Sequence, residues 1–147
     1  MFALDTRLEK DSYTLGQLPL SLVLLSRDAN YPWCILVPKR EGVREIHALN
    51  KADRLQLLEE SCALASLMET LFSPAKMNVA ALGNMVPQLH LHHIARFESD
   101  LAWPKPIWGT VAAGEYSDEL LEKRINLLRE GLAKEEMGFD HCFEVLS

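Results

Sequence analysis

The chain has 147 residues, 48% of them apolar and 24% charged, which suits one globular domain with a core that needs no disulfide or metal staples. The net charge of -6 and a pI near 5.3 argue against a nucleic-acid backbone as the main partner, since phosphate contact calls for a basic surface; a small phosphorylated ligand needs only a local pocket. Cys34, Cys62 and Cys142 are odd in number and far apart, so they suggest neither a disulfide framework nor a Cys-x-x-Cys metal site, and a reducing cytoplasm is the simplest compartment.

Residues 1–10 mix charges and contain no apolar segment of signal-peptide length. The longest apolar run, residues 18–25, is too short and interrupted to cross a bilayer, so no membrane partner is expected and the run reads as a buried strand. Turn-forming residues 26–30 separate it from a second apolar run, Trp33-Cys34-Ile35-Leu36-Val37, and the two make a hairpin. Asn50 is suited to cap a helix starting at Lys51, with Asp53 in the first turn where a carboxylate complements the helix dipole. Leu55, Leu58, Cys62, Ala65 and Phe72 recur at helical spacing and Leu57, Leu64, Met68 and Leu71 widen the stripe, so the helix should be buried on more than one side until Ser73-Pro74 stops it. Residues 76–82 alternate as a strand, with Asn78 inside it, and Gly83-Asn84 is a turn.

The stretch Gln88-Leu89-His90-Leu91-His92-His93-Ile94-Ala95-Arg96 carries the chemistry. As a strand it puts Gln88, His90 and His92 on one face and Leu89, Leu91 and His93 on the other. Two imidazoles and an amide in a row suit work on an anion, one ring attacking or shuttling a proton while its neighbour donates a hydrogen bond; histidines in strands also serve as plain structural residues. Asn84 and the nearby backbone N–H groups are suitable phosphate donors, with Asn78 as the rival, although an Asn after Gly needs only a turn to explain it. No third ligand is spaced to complete a metal site with His90 and His92, and no cofactor is expected. Finally, Ser117 caps a surface helix with the apolar stripe Leu121, Ile125, Leu128 and Leu132. His47 and His141 sit in unpatterned contexts. The expected fold is α+β: a mostly antiparallel, five-stranded sheet, one long buried helix and a C-terminal surface helix.

The histidine stretch resembles the signature of the histidine triad (HIT) superfamily, His-φ-His-φ-His-φ-φ with φ apolar, with Gln88 in place of the first histidine, His90 the second and His92 the third. Residues 77–84 are similar to the strand and polar turn before the signature in the Hint-like and fragile-histidine-triad branches, and Trp103-Pro104 to a Trp-Pro near the end of Hint-like proteins. The likeness spans residues 12–109, leaving 110–147 as a helical extension of a single domain. It implies a nucleotidyl hydrolase or transferase in which His90 attacks the α-phosphorus of a nucleoside phosphate derivative, His92 hydrogen-bonds the leaving group or a phosphate oxygen, and Gln88 helps to orient His90. It also implies a hairpin pocket for purine and ribose, with Asp28 the nearest acidic candidate for the ribose hydroxyls, and a homodimer through the long helix. The tryptophans Trp103 and Trp108 could close over the active site or the dimer seam. Three departures stand out: the non-titrating Gln88, a missing hydroxyl near Met85, and Trp33-Cys34 where many relatives carry a histidine. A non-catalytic nucleotide-binding or interaction protein that keeps the pocket is the alternative.

Overall fold

The computed structural model describes residues 1–134 and 143–146, so His141 and Cys142 lie outside the described residues. After a short helix α1 (Thr6–Lys10) come strands β1 (Ser12–Gln17), β2 (Ser21–Ser26) and β3 (Trp33–Pro38), the long helix α2 (Lys51–Phe72), strands β4 (Lys76–Ala80) and β5 (Leu91–Arg96), and helix α3 (Asp118–Leu132). The strands form one antiparallel sheet in the order β1-β2-β3-β5-β4. This is the expected α+β architecture, and the apolar runs at 18–25 and 33–37 pair as the hairpin β2-β3.

Local chemistry sets the helix ends. The Asn50 side chain accepts from the Asp53 N–H, and Ser73 ends α2 in a left-handed conformation at φ 48°. The Ser117 hydroxyl caps α3 in the same way by accepting from Leu120. Two elements carried no sequence signal. Helix α1 is a single capped turn, and β1 is a short polar edge strand whose register slips between Thr14 and Gly16, which breaks strict alternation.

The expected stripe on α2 needs correction. Leu57, Leu64, Leu67 and Met68 face the sheet, whereas Leu55 and Leu58 are 56% and 59% exposed and Cys62 is exposed. Helix α3 covers the far side of the same layer through Leu128 and Leu132, and Gly131 lets it close on α2, since a methyl group there would collide with Leu67. These two helices cover one face of the sheet together with Val23, Leu25, Cys34, Leu36, Leu91 and Ala95. The other face carries Leu22, Leu24, Ile35 and Val37 under α1 and the N-terminal residues, and Ile94 under Ala102 and Ile107. Helices therefore cover most of one face, leaving Val79 of the edge strand β4 exposed, and the second face, covered by loops and a one-turn helix, is where a cavity can form.

Candidate functional site

Strand β5 pairs Ile35 with His92 and Cys34 with His93, so the adjacent histidines point to opposite faces of the sheet. His93 is fully buried on the helical side: its Nδ1 lies 3.2 Å from the Leu91 carbonyl and its Nε2 2.7 Å from Ser61 Oγ on α2. A carbonyl only accepts, so Nδ1 carries the proton and Nε2 accepts from the serine. Burial pushes the His93 pKa down to about 4, and its role is to tie β5 to α2.

His90 and His92 share the other face, with ring centroids 4.9 Å apart and edge to face. The regular strand begins only at Leu91, so His90 sits just ahead of it, and its Nδ1 donates to the Gln88 carbonyl at 2.7 Å. That bond leaves the lone pair on Nε2, which has no partner among the described residues. His92 is held the opposite way. The Trp33 indole N–H donates to its Nδ1 at 3.0 Å, so the proton of the neutral ring is on Nε2. Burial, helped by repulsion from His90 and His93, pushes its pKa down to about 3. Trp108 packs edge-on against His92 at 5.0 Å and against Trp33 at 6.1 Å, closing the site from the loop side.

Both rings open into a cavity of about 470 Å³, walled by Leu8, Ile35 and Leu82, with polar groups from Asp11, Ser26 and Asn84. Beyond the tryptophans lies a second cleft of about 780 Å³ that shares Asp11, Ser26, Trp33 and Trp108 and adds Tyr13, Arg27, Asp28 and Tyr116. Each expected site residue has a defined place in this arrangement. Asn84 lines the histidine cavity. The Gln88 amide turns away from His90, accepting from the Asp5 N–H and donating to the Ala3 carbonyl; only the Gln88 carbonyl meets the ring. Asn78 accepts from buried Arg96 instead of facing the cavity. Asp28 lines only the second cleft, where it accepts from the Asn30 and Gly114 N–H groups and pins the segment after Trp108.

Arg96 and Asp100 hold the loop that leads to Trp108. Both side chains are buried; the guanidinium meets the carboxylate through two bonds and also reaches the Lys105 carbonyl, while Asp100 accepts from the N–H groups of Phe97, Ala102 and Trp103. Burial alone would raise the Asp100 pKa, but the hydrogen bonds from Arg96 and the backbone hold it below the usual value. The pair ties residues 97–105 to β5, and Ala102 and Ile107 then pack on Ile94. Sequence reasoning missed Asp11, Ser26 and the Trp33 contact, because single polar residues at element ends have no periodic signal; the departure at Trp33 was the one available pointer.

Comparison with known proteins follows the same lines. The family model described as HIT domain matches residues 7–99. A histidine triad protein from Marinobacter aquaeolei VT8 is 47% identical with a TM-score of 0.88, over 93% of this chain and 98% of that one. A histidine triad protein from Bradyrhizobium japonicum is 41% identical with a TM-score of 0.87, over 88% and 97% of the two chains. A histidine triad (HIT) protein from Sinorhizobium meliloti 1021 is 38% identical with a TM-score of 0.86, over 90% and 98%. Comparison with curated proteins gives no match.

Proposed function

The chain belongs to the HIT domain family, whose members in general bind nucleotides and hydrolyse or transfer them, and from that premise we propose that it cleaves nucleoside phosphate derivatives at the α-phosphate through a nucleotidyl-histidine intermediate. The observation that carries this reading is the His90 ring, fixed through Nδ1 by the Gln88 carbonyl with its Nε2 lone pair unengaged beside a cavity. In the proposed reaction Nε2 attacks phosphorus, the bond to the leaving group breaks, and water then displaces His90 to give the nucleoside monophosphate. The Gln88 carbonyl would hold the Nδ1 proton throughout and stabilise the positive ring of the intermediate. His92 would donate from Nε2 to a phosphate oxygen or the leaving group, and Asn84 would add a phosphate donor. Leu8 and Ile35 suit the base, and Asp11 or Ser26, rather than Asp28, suits the ribose hydroxyls.

The non-catalytic reading draws on one observation, the Gln88 amide turned toward the N-terminal segment, which leaves the first triad position without a side chain in the site. Incubation with adenosine phosphoramidates and diadenosine polyphosphates, with AMP as the readout, separates the two. The proposal expects AMP release that His90→Ala abolishes while nucleotide binding persists; binding without release by the wild type would favour the alternative. A homodimer belongs to the same proposal: β4 is an edge strand with Val79 exposed, and Leu55 and Leu58 stand exposed on α2. No described helix is long and apolar enough to cross a membrane.

A further inference from the structure

The bond from Trp33 to His92 restricts what His92 can contribute. An indole N–H only donates, so at 3.0 Å the Nδ1 of His92 must accept. An imidazolium carries a proton on each nitrogen, and forming it would set two N–H groups head to head along this contact. Away from the cavity the ring is packed against aromatic neighbours, with His90 at 4.9 Å and Trp108 at 5.0 Å between centroids. Asp11 is the one carboxylate lining the cavity among the described residues. His92 thus offers an Nε2–H that it cannot release, because losing it would leave an imidazolate and the indole has no means of resupplying a proton.

We propose that Trp33 is a specificity-determining positioning residue: it keeps His92 a hydrogen-bond donor instead of a general acid, so the enzyme prefers nucleoside phosphates whose leaving group departs as a stable anion. This rests on the reading of His90 as nucleophile. The His90 Nε2 lone pair forms the bond to phosphorus, and the bond from phosphorus to the leaving oxygen breaks with its electron pair on that oxygen. The anion leaves unprotonated, with only a hydrogen bond from His92. Phosphate, carboxylate and phenolate groups meet that condition; alkoxides and the amide anions of phosphoramidates do not, so diadenosine polyphosphates should be turned over faster than phosphoramidates.

The test is a series of adenosine 5′-phosphate esters with p-nitrophenyl, phenyl and alkyl leaving groups, assayed as kcat/KM for wild type, Trp33→Phe and Trp33→His. Each unit of leaving-group pKa should slow the wild type by up to about tenfold. Removing the indole donor ends the head-to-head arrangement; a phenyl group still leaves Nδ1 buried without an acceptor, whereas a histidine at 33 offers a ring nitrogen that can accept from Nδ1–H and let His92 act as an acid. Trp33→His should therefore narrow the gap between the p-nitrophenyl and alkyl esters by about 10²-fold, the lower end of what a positioned acid contributes, while Trp33→Phe keeps the wild-type gap. Nitrogen-15 NMR of the wild type should show His92 as the Nε2–H tautomer at neutral pH, a readout that needs no variant and no turnover. A flat leaving-group dependence in the wild type, an unchanged slope in soluble Trp33→His, or a protonated Nδ1 in the NMR spectrum would overturn the inference alone. Absence of turnover on every ester would overturn the proposed reaction and the inference with it.

Discussion

Lowering the pH from about 7.5 to about 5.5 should destabilise the fold, because two histidines are buried uncharged. His92 and His93 have folded-state pKa values of about 3 and about 4 against an ordinary 6.5, so below 6.5 the unfolded chain binds protons that the folded chain refuses. The sign follows: their stabilising effect is complete above 6.5 and is lost as the pH falls toward the folded values. At a pH one unit below 6.5 each histidine costs about 1.4 kcal/mol, together about 2.5–3 kcal/mol, a large share of the roughly 5–15 kcal/mol that typical domains possess. Asp5, whose pKa is lowered by its hydrogen bonds from Arg7, and Asp100 begin from 3.8 in the unfolded chain, so they add little in this window. Urea denaturation at about pH 7.5 and about pH 5.5 measures the difference directly from the midpoints at constant slope. A change below about 1 kcal/mol would refute the assignment of both rings as buried and neutral.

Exchanging the adjacent histidines separates chemistry from packing. His92→Ala should lower kcat/KM by about 10²- to 10³-fold, the cost of losing one transition-state hydrogen-bond donor, whereas His93→Val should leave kcat/KM nearly unchanged and cost about 1–3 kcal/mol by stranding the Ser61 hydroxyl; a larger kinetic loss in His93→Val would reverse the assignment. Asp11→Ala should raise KM by about tenfold with little change in kcat if its carboxylate accepts from a ribose hydroxyl, and an unchanged KM would rule out that contact. Light scattering should find a dimer that Leu55→Glu with Leu58→Glu converts to monomer; a wild-type monomer at micromolar concentration would contradict the homodimer.

Much of this architecture was legible because local rules and tertiary packing agree. The hairpin runs, the Asn50 and Ser117 caps and the Ser73-Pro74 stop each act within a few residues, so they need no knowledge of the rest of the chain. Period-two alternation likewise separates His92 from His93, since a strand has only two faces. The face of α2 that is buried could not be read so simply. With leucines at 55, 57, 58, 64, 67 and 71 the helix has apolar residues nearly all round, and only the positions of the sheet and of α3 decide that Leu57, Leu64 and Leu67 go inside while Leu55 and Leu58 do not. The cavity depended still more on long-range placement. Asp11 lines the same cavity as His90, and Trp33 bonds His92, in each case from more than fifty residues away in sequence, and Asn78 is drawn to Arg96 by the need to satisfy a buried guanidinium. The residue types stated which groups could do chemistry at β5; hydrogen bonds from distant segments decided which nitrogen of each ring is free to do it.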